Sequence, residues 1–149
     1  MESANILLVE DDPNDVLLTQ RAFHQAGRGA VLHVVTDGEA ALAYLGGRNG
    51  YADRGRFPLP TLMLLDLKLP RKSGHEVLAW LRAQPGLRRL PVVMLTSSRE
   101  SADVNRAYDL GANSYMVKPV AFEALFDLAE KLNLYWLLTN HPPQVRDHS

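Results

Sequence analysis

Four clusters of polar side chains stand directly after short apolar runs. Glu10-Asp11-Asp12 follows Ile6 to Val9, Asp66 follows Leu62 to Leu65, Thr96-Ser97-Ser98 follows Val92 to Leu95, and Lys118-Pro119 follows Tyr115 to Val117. If the runs are neighbouring strands, carboxylates from two of them face one another. At about 5 Å and an effective dielectric near 20, each pair of such charges repels by roughly 3 kcal/mol. A divalent cation would relieve that repulsion, and an all-oxygen donor set open to water favours Mg2+. An ammonium at the tip of another strand would pair with a carboxylate or a phosphoryl oxygen. Each group also has a plainer reading. Asp12 before Pro13 caps a helix, Asp66 serves a turn before Pro70, Lys118 is solvated, and Ser98 caps the next helix, leaving Thr96 at the strand tip.

The elements that must position these groups are legible in the same pattern. With Val31 to Val35 there are five short apolar runs, near-continuous rather than alternating, as expected of parallel strands covered on both faces. The intervals hold crossover helices, so the chain reads as a (βα)5 α/β fold in which strand one neighbours strand three. The first helix is expected from Asp12 to Gly27, and the second opens at Asp37-Gly38. Residues 46–60 read as an elaborated loop, rich in glycine at its start and closed by Pro58 and Pro60. A third helix begins at Ser73 or Gly74, a fourth runs from a Ser98 cap to Leu110, and the last extends from near Ala121 to about Thr139. A frayed polar tail is expected beyond His141. The bond between Lys118 and Pro119 is a candidate for the cis form. Ligands of open parallel sheets bind at the carboxyl ends of the strands, where all four polar clusters fall.

Composition narrows the function. The 149 residues suit one domain, and 46% apolar with 22% charged residues is ordinary for a folded globular chain. Sixteen basic against seventeen acidic residues give a net charge of −1, which excludes nucleic-acid binding driven by bulk charge. Without cysteine there are no disulfides, thiolate zinc sites or thiol nucleophiles. No signal-peptide pattern opens the chain and no apolar run approaches the roughly 20 residues of a membrane span, so a cytoplasmic protein is expected, with neither membrane nor nucleic acid among its partners. His24, His33, His75, His141 and His148 lack the spacing of a tetrahedral metal site. No Walker A or G-x-G-x-x-G pattern follows a strand. Three acids after strand one would repel a flavin phosphate, and Glu10-Asp11-Asp12-Pro13 is not the Asp-x-Asp loop of a haloacid-dehalogenase phosphatase.

ILLVEDD at residues 6–12, LLDLKLPRKSG at 64–74, VVMLTSS at 92–98 and GANSYMVKPV at 111–120, in this order, resemble the receiver domains of two-component response regulators. The resemblance spans residues 5 to about 133 and implies a single receiver domain over 1–149, with a helical extension at 134–140 and a flexible tail at 141–149. It implies the flavodoxin-like, doubly wound strand order 2-1-3-4-5. It makes Asp66 the phosphoacceptor, and Glu10, Asp11, Asp66 and the Lys68 backbone carbonyl the Mg2+ ligands. Thr96 and Lys118 become the phosphoryl-contacting pair, with Tyr115 beside Thr96 as the aromatic switch. Such a protein is a signalling phosphoacceptor, not an enzyme, although it takes part in its own Mg2+-dependent phosphorylation and dephosphorylation. The loop at 46–60 and LYWLL at 134–138 resemble, more narrowly, the stand-alone regulators of bacterial and cyanobacterial phytochromes, which implies a phytochrome sensor histidine kinase as partner. A pseudo-receiver that only binds other proteins is the alternative. Leu134 to Leu138 are consecutive and must point all around a helix, so either the segment folds back on its own domain or it buries against a second copy; a homodimer is expected.

Overall fold

The computed structural model describes residues 4–27 and 29–147. Asp12 has extended backbone geometry, and its carboxylate accepts hydrogen bonds from the N–H groups of Asn14 and Asp15 at 2.8 and 3.3 Å. With Pro13 at the first helical position, this starts α1 (Pro13–Ala26) directly after β1 (Ala4–Val9). The chain continues through β2 (Ala30–Val35), α2 (Gly38–Gly46), β3 (Leu62–Leu65), α3 (Gly74–Arg82), β4 (Val92–Thr96), α4 (Ser101–Asp109), β5 (Ser114–Val117) and α5 (Phe122–Leu132). Asp37 and Ser73 cap α2 and α3 through the N–H groups of Ala40 and Glu76. All strand pairs are parallel, in the order β2-β1-β3-β4-β5, as expected.

The sheet is covered on both faces, and the alternation of side chains along each strand divides the core in two. Leu7 and Val9 of β1, Met63 and Leu65 of β3, and Met94 of β4 pack with Leu42 and Leu45 of α2 and Val77, Leu78 and Leu81 of α3. Ile6, Leu8, Leu62, Leu64, Val93 and Leu95 point the other way, onto Phe23 of α1 and Leu125, Ala129 and Leu132 of α5. Two glycines set how closely the connections approach. A Cβ on Gly74 would collide with the Asp66 carbonyl oxygen, and one on Gly38 with the carbonyl oxygen of Lys72. The loop from Asp66 to Ser73 is therefore pressed between its own strand and the start of α2, where the Gly38 N–H also donates to the Pro70 carbonyl at 3.2 Å.

Three segments differ from the reading of the sequence. Ser98 does not cap the fourth helix: α4 begins at Ser101 with Glu100 at its cap, while the Ser98 hydroxyl bonds the Asp103 carboxylate at 2.6 Å. The last helix widens after Leu132 into a π-helical segment, Asn133–Thr139. Widening turns Trp136 and Leu137 onto the α1/α5 side of the core and leaves Leu134 and Tyr135 58% and 52% exposed. The segment thus folds back in part, and the Leu138 side chain lies outside the described residues. Buried Asn133 ties this widening to the end of α1 through the Gly27 carbonyl at 3.4 Å.

The tail read as frayed lies against the body. Val145 packs on the α2/α3 side of the core, the Arg146 N–H donates to the Gly86 carbonyl at 2.8 Å, and Asp147 pairs with Arg54 at 2.6 Å. His148 is outside the described residues.

Candidate functional site

The carboxyl end of the sheet gathers the polar clusters. Because β1 and β3 are adjacent and in register from Ile6 opposite Leu62 to Val9 opposite Leu65, the next residues on each strand, Glu10 and Asp66, emerge side by side. Both are buried, while Asp11, the first residue beyond the strand's shelter, is exposed. One carboxylate oxygen from each of Glu10, Asp11 and Asp66 lies within 4.8 Å of the others, close enough to share a metal ion. Asp66 is oriented by the Leu67 N–H, which donates to its Oδ1 at 2.7 Å. Lys68 lies two residues past Asp66 in the same loop with its side chain exposed.

Lys118 closes the site from β5. Its N–H donates to the Thr96 carbonyl at 2.8 Å, extending the β4–β5 ladder by one residue and aiming the side chain back over the sheet. The ammonium lies 3.0 Å from Asp66 Oδ2, 3.0 Å from Asp15 Oδ2 and in contact with Glu10 Oε1. The peptide bond to Pro119 is trans, as are all those among the described residues, in place of the cis form considered above.

Burial dominates the electrostatics at Glu10. Loss of water pushes its carboxyl up to about 7, against the opposing hydrogen bonds from Lys118 and the Asp12 N–H, with the nearby Asp66 charge adding to the rise. At Lys118 the balance is reversed. Burial alone would lower the ammonium, but its bonds to Glu10, Asp66 and Asp15 hold it above the ordinary lysine value.

Thr96 is buried at the tip of β4, and its Oγ1 lies 3.5 Å from the Ser98 N–H. Tyr115, opposite Met94 in the β4–β5 register, donates its hydroxyl to the Ser98 carbonyl at 3.0 Å. The aromatic side chain is thus tied to the loop that leaves Thr96. Burial raises the Tyr115 phenol above its usual value.

The sequence reading missed Asp15. It occupies the third position of α1, where an acidic side chain commonly turns back toward the residue before the helix. That signal was present in the spacing Asp12 to Asp15. Its contact with Lys118, 103 residues away, was not. Among the histidines, His33 bonds Asn5 and His75 bonds the Asp103 carbonyl, both away from the acids.

The chain is 43% identical over 138 residues to the probable methanogenesis regulatory protein FilR2 of Methanothrix harundinacea, covering 93% of this chain and 86% of that one. It is 40% identical over 134 residues to the response regulator Rcp1 of Synechocystis, covering 90% and 89% respectively. The Mn2+-bound structure of Rcp1 superposes with a TM-score of 0.84 over 94% of this chain and 99% of that one. The phosphorylated cyanobacterial phytochrome response regulator RcpA is 37% identical and superposes with a TM-score of 0.89, over 96% of this chain and all of that one. The sequence pattern of the response regulator receiver domain matches residues 6–130. With that match laid over a parallel sheet whose carboxyl end carries the acids and the lysine, the chain belongs to the response regulator receiver family.

Proposed function

We propose that Asp66 accepts a phosphoryl group from a sensor histidine kinase, with Glu10, Asp11 and Asp66, joined by the Lys68 carbonyl, holding Mg2+. The observation that carries this reading is the placement of Asp66 Oδ2 at 3.0 Å from the Lys118 ammonium, inside a triad of acids that share a 4.8 Å space. A bound divalent ion supplies positive charge between nucleophile and incoming phosphoryl group, which two anions otherwise keep apart. An Asp66 carboxylate oxygen attacks phosphorus as the P–N bond to the donor imidazole breaks, and the electron pair leaves with the imidazole. Lys118 then turns from the former carboxylate to a phosphoryl oxygen, and the Thr96 hydroxyl donates to another. Movement of Thr96 pulls on the loop through Ser98 and alters its bond to Tyr115, which shifts the population of α4–β5–α5 surfaces seen by partners.

Similarity to RcpA along 96% of the chain supports a phytochrome-type kinase as the donor. Intact-mass spectrometry with acetyl phosphate and Mg2+ should show one added phosphoryl group, lost with a chelator and in Asp66→Asn. Phosphorylation of Asp66→Asn to the unaltered level would overturn the assignment, and no phosphorylation at all would favour a pseudo-receiver.

A homodimer is also proposed. Leu134 and Tyr135 are large, apolar and more than half exposed on consecutive positions, and a second copy is the surface best suited to cover them. Light scattering should give a dimer for the full chain, at least when phosphorylated, and a monomer for Tyr135→Ser with Leu134→Ser. A monomeric full chain in every state would contradict it.

A further inference from the structure

The Lys118 ammonium has three N–H donors, and three carboxylates surround it. Two belong to the proposed phosphoryl-transfer chemistry, Asp66 as acceptor and Glu10 as a metal ligand. The third does not. Asp15 stands on α1, outside the Glu10, Asp11 and Asp66 cluster, and its carboxylate reaches Lys118 at 3.0 Å from the far side. Resting on the reading of Asp66 as phosphoacceptor, we infer that Asp15 is a positioning residue that holds the Lys118 ammonium over the phosphoryl site throughout the cycle.

Transfer turns the Asp66 carboxylate into an acyl phosphate, and the negative charge that Lys118 grips moves out onto the phosphoryl oxygens. Glu10, as a metal ligand, would share its carboxylate with the cation. Both changes require the ammonium to shift its grip within the site. Asp15 undergoes neither change, so one N–H stays anchored while another is released to the phosphoryl group. An open cleft of about 300 Å3 lined by Asp15, Ser97, Lys118 and Phe122 leaves the Lys118 side chain free to move on the Asp15 side. A four-carbon side chain without this anchor would spread over several rotamers, and a partly exposed ion pair of this kind accounts for about a fivefold bias.

The test is phosphorylation by acetyl phosphate in saturating Mg2+, followed by intact mass. Asp15→Asn should slow the rate about fivefold, and Asp15→Glu, which keeps the charge, should recover part of the loss. In a Lys118→Ala background, Asp15→Asn should have no further effect, because the group it positions is gone. A first-turn acid that merely stabilises the α1 dipole would instead change thermal stability equally in both backgrounds and leave the rates alone. An unchanged rate in Asp15→Asn, or an equal slowing with and without Lys118, would overturn the inference while leaving Asp66 as acceptor. Phosphorylation that persists in Asp66→Asn would overturn the parent reading and this one with it.

Discussion

Metal-free protein is expected to lose stability as the pH rises from about 4.5 to about 7, and Glu10→Gln should reduce that loss. The Glu10 carboxyl, ordinarily at 4.5, is pushed up to about 7 in the folded chain by burial at the end of β1. Between those two values the folded state keeps a proton that the unfolded chain has released, so stability falls with pH across that window and levels off above it. The contribution is complete below the unfolded value and gone above the folded one. Urea unfolding in chelator at pH 4.5, 5.5, 6.5 and 7.5 measures it, with the difference between the unaltered chain and Glu10→Gln isolating this group from other carboxylates. Parallel pH profiles for the two proteins would show that burial does not hold the proton on Glu10.

Arg54→Ala should destabilise the fold by about 3 kcal/mol, whereas Asp147→Ala should cost under about 1 kcal/mol. The Arg54 guanidinium donates to the carbonyls of Tyr44 at 2.8 Å, Leu45 at 2.9 Å and Phe57 at 3.1 Å, and also to the Asp147 carboxylate at 2.6 Å. Tyr44 and Leu45 lie in the last turn of α2, where the Gly47 N–H reaches the Tyr44 carbonyl at 3.2 Å and the Leu45 carbonyl is met by Arg54. Arg54 therefore reinforces the Gly47 cap at the C-terminal end of α2 from the loop that follows it. It also holds Phe57 in place, where its ring meets Tyr51 at 5.0 Å and Tyr44 at 6.0 Å, and the Tyr44 hydroxyl bonds the Pro58 carbonyl at 2.8 Å. Removing the side chain takes this donor from the Leu45 and Phe57 carbonyls and loosens the loop, while removing Asp147 costs only a pair in which the carboxylate is 51% exposed. For a chain of this length the melting temperature should fall by about 9 °C in Arg54→Ala and by about 3 °C or less in Asp147→Ala. Equal losses would mean that the tail, not the α2 cap, is the main work of Arg54.

The contrast between these two residues shows why some of the molecule was legible and some was not. Strand ends are marked by a sharp change from apolar to polar, so Glu10, Asp11, Asp66, Thr96 and Lys118 could be placed before any contact was known. Parallel pairing then brings those ends together whatever the helices do in detail. Arg54 carried no comparable mark. It is one of several arginines in a polar stretch, and its partner Asp147 is 93 residues away. Asp15 was hidden for the same reason, since nothing local distinguishes an acid that caps its helix from one that grips a lysine across the site. Ser98 misled because Ser-x-x-x before a helix reads as a cap, whereas its hydroxyl is taken by Asp103 within the helix. The break in apolar period after Leu132 was visible, and a widened helix that buries Trp136 and Leu137 while exposing Leu134 and Tyr135 is its physical resolution. Periodicity at 3.6 residues does not anticipate a π-helical turn.

The central claim is that one carboxylate, selected by the register of β1 and β3 and by the reach of Lys118, takes the phosphoryl group. An acyl phosphate is reduced by borohydride to an alcohol, which marks the acceptor aspartate as homoserine. Peptide mapping after acetyl phosphate, Mg2+ and borohydride should find homoserine in place of Asp66 and nowhere else, with none when Mg2+ is chelated. Homoserine in place of Asp11, Asp12 or Asp15, or none under conditions that phosphorylate the chain, would contradict the account.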